Sequence, residues 1–172
     1  MAKLSHRVFA GFFAVLFLLS ASALTISIIW SAVSSKSTAS STSKTVTKQL
    51  RGTKMQDFTP ITTPLTQLQT QDLKVGTGEA VKPGATVTVD YTGAVASTGV
   101  IFQSSLDTGQ PVTFSLNQVI KGWTEGIPGM KVGGTRRLLI PAALAYGANP
   151  PQGSGIPANA DLVFDVTLHK ID

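Results

Sequence analysis

Side chains that could perform covalent or metal chemistry are scarce in this sequence. It contains no Cys, which excludes disulfides, thiolate nucleophiles and Cys-ligated metals. Its two His residues, His6 and His169, are too few and too far apart for a His-based metal site. They also leave little material for a Ser–His catalytic pair. We therefore expect no metal, no cofactor and no covalent intermediate.

The residues that could form a site are instead apolar, and they are centred on the stretch Val119–Gly126. Ile120, Trp123 and Ile127 recur at the spacing of one helical face, with polar side chains on the opposite face. A helix this short is unstable alone, since isolated helices below roughly 12 residues are marginal in water. The pattern therefore predicts a short helix whose Trp packs against the apolar face of a sheet.

Alternating apolar residues on both sides of this stretch predict the strands of that sheet. The alternation is clearest from Thr86 to Tyr91 and from Leu162 to Ile171. Further strands are predicted at 73–75, 100–102, 112–116 and 135–140, with Gly- and Pro-containing turns between them. Five or six strands and one short helix indicate an α+β domain with an antiparallel sheet.

The N-terminal part of the chain has a different character. Residues 1–7 are a short basic flank, and residues 8–30 are apolar without a charged side chain. A helix of that length spans roughly 34 Å, enough to cross a bilayer core, so we predict an uncleaved transmembrane signal anchor. Secretion after cleavage near Ala23 is the alternative, because Ala21-Ser22-Ala23 has the small residues of a signal cleavage site.

The charges around this apolar segment predict its orientation. Lys3, Arg7 and the N-terminal amine favour an N-in orientation, which places the rest of the chain outside the cytoplasm. Lys36, Lys44 and Lys48 oppose this orientation, but they are spread over more residues. We therefore expect a single-pass protein of the cell membrane with its folded domain extracytoplasmic.

Residues 31–60 are predicted to be a flexible linker, because Ser, Thr and Lys dominate and little apolar surface could be buried. The folded domain is expected at residues 61–172. Seven basic and no acidic residues lie in 1–54, whereas 55–172 hold seven basic and nine acidic residues. Because the folded part is mildly acidic, nucleic acid is not an expected partner.

Six short motifs, in this order, resemble the FK506-binding-protein (FKBP) type of peptidyl-prolyl cis–trans isomerase, from about Leu73 to Asp172. Each alone is a weak signal, whereas six in order are a strong one. The resemblance implies an antiparallel sheet of five to six strands wrapped around one short α-helix, with an apolar pocket between them. The motifs are Tyr91-Thr92-Gly93, Phe102-Gln103-Ser104-Ser105, Val119-Ile120-Lys121-Gly122-Trp123, Leu144-Ala145-Tyr146-Gly147, Gly155-Ile156-Pro157 and Leu162-Val163-Phe164-Asp165-Val166.

The resemblance also implies roles for individual residues. Trp123 would form the floor of the pocket, and the Ile120 N–H and the Tyr146 hydroxyl would donate hydrogen bonds to carbonyls of the bound peptide. The implied catalytic residues are Tyr91, Phe102, Gln103, Trp123, Tyr146 and Phe164. The implied substrate-binding residues are Phe114, Val119, Ile120 and Ile156.

The chain departs from the family pattern at several of these positions. Gln103 stands where the family has Asp, and Leu106 and Thr108 stand where members often have Arg. An Asp–Arg–Tyr hydrogen-bond network is therefore absent or rebuilt around Gln103. Val112 replaces a pocket Phe, with Phe114 two residues later as a candidate substitute. These departures bear on the rate and on macrocycle affinity more than on the class of activity.

An apolar pocket suits the implied reaction, because rotation about an X–Pro bond breaks no covalent bond. The barrier of roughly 18–20 kcal/mol comes from amide resonance, and the twisted amide is less polar than either planar form. Together with the predicted membrane anchor, the resemblance implies an anchored isomerase that acts on proline-containing polypeptides, assists the folding of exported proteins and binds FK506-like macrolides. A low-turnover FKBP-fold chaperone for Pro-containing segments, which Gln103 favours, and a structural envelope protein are the alternatives.

Overall fold

The computed structural model describes residues 49–172, which form a six-stranded antiparallel sheet and one short helix. The predicted α+β class is confirmed for this part of the chain. The elements are β1 (Gln69–Lys74), β2 (Thr86–Val95), β3 (Ile101–Ser104), β4 (Val112–Ser115), α1 (Lys121–Gly126), β5 (Thr135–Ile140) and β6 (Leu162–Ile171), with 3-10 turns at Ser105–Asp107 and Ala142–Leu144.

The predicted basic flank and membrane helix, residues 1–7 and 8–30, lie outside the described residues, as does the linker as far as residue 48. From residue 49 onwards, no helix has the length and apolar character needed to cross a bilayer.

Strand β2 lies at the centre of the sheet and has three partners. The strand order is β1-β5-β6-β2-β3, and β4 also pairs with β2. On the edge opposite β6, β3 pairs with Thr92–Ala94 and β4 pairs with Thr86–Val89. Tyr91 therefore lies at the gap between the two partners, where the chain leaves β3 and later returns as β4.

Helix α1 packs closely on the sheet because it has Gly where it meets β5. A Cβ atom on Gly122 would lie 2.4 Å from the Ile140 Cγ2 atom, far inside van der Waals contact. Arg136 of β5 holds the end of the helix, since its Nη1 donates to the Gly126 carbonyl at 2.9 Å and its Nε pairs with Asp72 of β1 at 2.6 Å. These contacts fix where the helix presents Trp123.

Residues 50–65, which we name the N-terminal strap, cover the face of the sheet opposite α1. The Ile101 N–H donates to the Thr53 carbonyl and the Gly52 N–H donates to the Ile101 carbonyl, both at 2.8 Å. Met55 is 6% exposed and packs against a small second core of Ala94, Ile101 and Val163. The predicted flexible linker through residue 60 is thus wrong for residues 50–60, because backbone pairing and Met55 burial order them on the sheet.

Arg137 of β5 joins the strap to the sheet. Its Nε and Nη2 atoms each donate to a different carboxylate oxygen of Asp165 at 2.7 Å, and its Nη1 donates to the Asp57 carbonyl at 2.7 Å. The guanidinium carbon lies 5.4 Å from the centre of the Phe58 ring. A buried Arg with both carboxylate oxygens and a carbonyl as partners explains how a polar strap segment becomes ordered.

Candidate functional site

Five aromatic rings from five different elements meet on the helix side of the sheet. Trp123 of α1 lies at the centre, in edge-to-face contact with Phe164 at 5.4 Å, Tyr91 at 5.5 Å and Phe114 at 5.5 Å between ring centroids. Phe102 extends the cluster through an edge-to-face contact with Phe164 at 5.7 Å. These distances lie in the range that aromatic pairs prefer.

Strand alternation brings the rings together. On β2 the buried face carries Val87, Val89 and Tyr91, and on β6 it carries Phe164 with its alternate neighbours. Gly93 leaves the space for the rings, since a Cβ there would lie 2.6 Å from Phe164 Cε1 and 2.7 Å from Phe102 Cζ. Sequence reasoning missed this role, although a Gly at an inward-facing strand position is a signal for close approach.

Gln103 lies on the same side of the sheet as the ring cluster. It pairs directly with Gly93, whose missing Cβ faces Phe102 and Phe164. In a regular strand the neighbours Phe102 and Gln103 would face opposite sides of the sheet. A register shift between Gly93 and Ala94 leaves Phe102 without a direct partner, and this irregularity allows both side chains to face the same side. The Gln103 side chain is half-buried and makes no hydrogen bond within residues 49–172. No network is therefore rebuilt around Gln103 in this part of the chain.

The remaining predicted residues lie at the edge of the same cluster. Ile156 is buried, whereas Val119, Ile120 and Tyr146 are half-buried against the core. Ile120 precedes α1 with an extended backbone, and its carbonyl accepts the Trp123 N–H at 2.9 Å. Its own N–H donates to no residue in the described part of the chain, so it is available to a ligand. Every predicted site residue except Gln103 belongs to this one apolar cluster.

Polar atoms within the cluster remain available as hydrogen-bond donors. Burial, with a smaller contribution from the charge of Tyr146, raises the pKa of Tyr91 to about 12, and burial also raises the pKa of Tyr146. Within residues 49–172, neither phenol hydroxyl donates to another residue, and the buried indole N–H of Trp123 has no partner. Both tyrosines are therefore protonated donors at neutral pH.

No pattern in the sequence predicted the polar contacts behind Tyr91. The Tyr91 N–H donates to Ser105 Oγ at 3.0 Å, and that hydroxyl donates to Asp90 Oδ1 at 2.7 Å. Asp90 Oδ2 lies 2.7 Å from His169 Nε2. The trio contains the residues of a hydrolase triad, but its His contacts the Asp and not the Ser. The His169 ring therefore does not act on the Ser105 hydroxyl as it would in a catalytic triad, and the trio supports the backbone of Tyr91.

The structure also has a cleft of about 700 Å³, and no predicted site residue lines it. It is bounded by Pro64, Leu65, Thr66, Gln67, Leu68, Glu125, Pro141, Ala142, Ala143, Leu144, Asn159 and Asp161. Among the described residues, no three His, Asp or Glu side chains converge as metal ligands do. The ring cluster can thus offer an apolar surface and fixed N–H and O–H donors.

Comparisons with known proteins agree with this geometry. The family model for FKBP-type peptidyl-prolyl cis-trans isomerase matches residues 77–169. A probable FK506-binding protein of Corynebacterium glutamicum is 51% identical over 98 residues, 56% of this chain and 80% of that protein. The FK506-binding protein of Neisseria meningitidis serogroup B is 48% identical over 103 residues, 59% of this chain and 93% of that protein.

Longer relatives match over part of their length. The isomerase FkpA of Aeromonas hydrophila is 51% identical over 106 residues, which are 61% of this chain but only 38% of that protein. The crystal structure of FkpA from Escherichia coli superposes with a TM-score of 0.57 at 44% identity, covering 62% of this chain and 49% of that one. The family match spans more than half of the sequence and contains the whole ring cluster. The chain therefore belongs to the FKBP-type peptidyl-prolyl cis–trans isomerase family.

Proposed function

We propose that this protein is a membrane-anchored peptidyl-prolyl cis–trans isomerase that acts on proline-containing polypeptides and assists the folding of exported proteins. The observation that carries the proposal is the Ile120 N–H, which has no partner within residues 49–172 and lies beside a cluster of aromatic rings centred on Trp123. An apolar surface with a fixed donor at its edge can bind a prolyl ring while the donor forms a hydrogen bond to a neighbouring carbonyl.

Catalysis of the rotation would depend on the polarity that the amide loses as its C–N bond twists. The twisted amide at the top of the barrier has lost its conjugation and is less polar than either planar form. A surface of Tyr91, Phe102, Trp123 and Phe164 disfavours the polar planar forms relative to the twisted one, which is differential binding of the transition state. Donors at Ile120 N–H and the Tyr146 hydroxyl hold the flanking carbonyls while the bond turns.

The proposed location outside the cytoplasm is supported by the sequence. Residues 8–30 are long enough and apolar enough to span a bilayer, and the basic residues Lys3 and Arg7 precede them. The absence of Cys suits an oxidising compartment, since no thiol is available to mispair. Binding of FK506-like macrolides is supported by the names of the relatives from Corynebacterium and Neisseria.

The activity is tested with the full-length chain in mild detergent and a short Leu–Pro peptide, whose cis–trans exchange is followed by NMR. Without a catalyst the exchange takes roughly 10–100 s. Phe102→Leu, in the ring cluster, is expected to lower kcat/KM by about ten-fold, which corresponds to about 1.4 kcal/mol of lost transition-state stabilisation. Phe58→Leu removes a matched ring on the opposite face of the sheet and is expected to leave kcat/KM within about two-fold.

The same measurement separates the alternatives. Peptide binding without acceleration of exchange would favour the low-turnover chaperone. The specific support for it is the Gln103 side chain, which makes no hydrogen bond in the described part of the chain. The location is tested by alkaline extraction of membranes and by adding protease to intact cells. The proposed anchor predicts retention in the membrane and digestion of the domain from outside. A mature N-terminus near Ala23 would instead indicate a cleaved signal.

A further inference from the structure

We propose that Arg51 and Asp107 are positioning residues for the isomerase site. Together with Leu50 they form a hydrogen-bonded clip that joins two loops next to the predicted site residues. The first loop, residues 104–111, follows Phe102 and Gln103 and leads to β4. The second loop, residues 147–157, runs from Tyr146 to Ile156. This inference rests on the proposed function and adds residues that lie outside the ring cluster.

The first half of the clip binds the 104–111 loop. The Asp107 carboxylate accepts the Leu50 N–H at 2.5 Å and the Arg51 N–H at 3.2 Å. Asp107 ends the 3-10 turn that begins at Ser105, and the Ser105 hydroxyl accepts the Tyr91 N–H at 3.0 Å. A continuous series of hydrogen bonds and one turn thus connects the strap to the backbone of Tyr91.

The second half of the clip binds the 147–157 loop. Arg51 Nη2 donates to the Gly153 carbonyl at 3.0 Å. The next residue, Ser154, donates from its hydroxyl to the Pro151 carbonyl at 2.7 Å and accepts the Ile156 N–H at 3.2 Å. The Arg51 contact therefore acts on a hydrogen-bonded turn that ends at Ile156, which is buried in the same apolar cluster as the rings. Asp107 and Gly153 are 46 positions apart in sequence, and Arg51 contacts both.

The clip is itself fixed to the sheet, so it can hold the loops in place. Gly52 and Thr53 exchange backbone hydrogen bonds with Ile101 at 2.8 Å, and Leu50 packs against the second core. Arg51 is exposed, and an exposed polar contact contributes little to global stability. Its effect is therefore expected on substrate binding, because ordering two loose loops at the moment of binding costs affinity.

The test compares variants of the full-length chain in the peptide exchange assay. Arg51→Ala and Asp107→Ala are each expected to raise KM by about three- to ten-fold, with kcat within about two-fold, as expected for one lost hydrogen-bonded contact. Arg51→Lys retains a donor and should restore part of the loss. Lys54→Ala is the matched control, since it removes the same charge from the same strap but its side chain makes no ion pair in the described part of the chain.

A second readout does not depend on turnover. In Arg51→Ala, and not in Lys54→Ala, the amide NMR signals of Gly153 and Ile156 should show new microsecond-to-millisecond exchange broadening. Unchanged KM and unchanged signals in both Ala variants would overturn the inference. So would a fall in apparent kcat and unfolding midpoint at constant KM, which indicates a loss of folded protein only. An inactive wild-type chain would refute the proposed function, and the NMR signals would still decide whether the clip positions the loops.

Discussion

Tyr91 and Tyr146 are the only two Tyr residues of the chain, and both lie in the candidate site. Burial raises the pKa of both, that of Tyr91 to about 12. We predict that the 295 nm absorbance of the folded protein changes little by pH 10, where an ordinary Tyr is half-ionised. The main change should follow above pH 10. Tyr91→Phe should remove the component with a midpoint near 12.

The same shift fixes how stability depends on pH. Between pH 10 and about 12 the unfolded chain has lost the Tyr91 proton while the folded chain retains it, so stability falls as pH rises through this range. Below pH 10 this contribution is fully present. The protein in 6 M guanidinium serves as the control, since both tyrosines should titrate near 10 there. A folded protein with one midpoint near 10 for both residues would contradict the burial of their hydroxyls.

Helix α1 depends on its contact with β5, and Gly122 makes that contact possible. Gly122→Ala would place a methyl group 2.4 Å from Ile140 Cγ2. Ala gains about 1 kcal/mol of helix propensity over Gly. Overpacking a core typically costs about 1–3 kcal/mol, and at this distance we expect that cost to exceed the gain in helix propensity. The substitution should therefore lower the free energy of unfolding, measured by urea denaturation with circular dichroism.

A double-mutant cycle tests whether the clash is the cause. Ile140→Ala removes all three atoms nearest to the new methyl group, Cγ2, Cδ1 and Cγ1, and should offset part of the loss in the double variant. If the changes in the free energy of unfolding caused by the two substitutions simply added, the clash with Ile140 would not be the cause of the loss. Activity should fall with Gly122→Ala as well, because the helix carries Trp123 and directly follows Ile120.

Much of this arrangement could be predicted from sequence where the pattern was periodic. The alternation at Thr86–Tyr91 and Leu162–Ile171 predicted β2 and β6, and helical spacing predicted α1. The strap was missed because its order comes from pairing with Ile101 and from Arg137, which are distant in sequence. The inward position of Gln103 was available only through the family resemblance, since the register shift in β3 has no signature in the sequence itself.

The strap makes the folded unit larger than the predicted domain of residues 61–172. Met55 is 6% exposed and covers Ala94, Ile101 and Val163, which are themselves almost inaccessible. Truncating a buried Met typically costs about 2–5 kcal/mol. We predict a loss of that size for Met55→Ala, and at least as large a loss when residues 1–60 are removed.

The exposed neighbour Gln56 provides the control, since Gln56→Ala leaves both the apolar cover and the backbone pairing in place. Surface substitutions of this kind usually change stability by no more than about 0.5 kcal/mol. Urea denaturation of the three variants and the parent chain separates the possibilities. If the chain that starts at residue 61 unfolded at the same urea concentration as the parent chain, the strap would lie on the surface of the folded unit without contributing to its stability. If it unfolded earlier, assays on fragments that start at residue 61 would underestimate the activity of the intact protein.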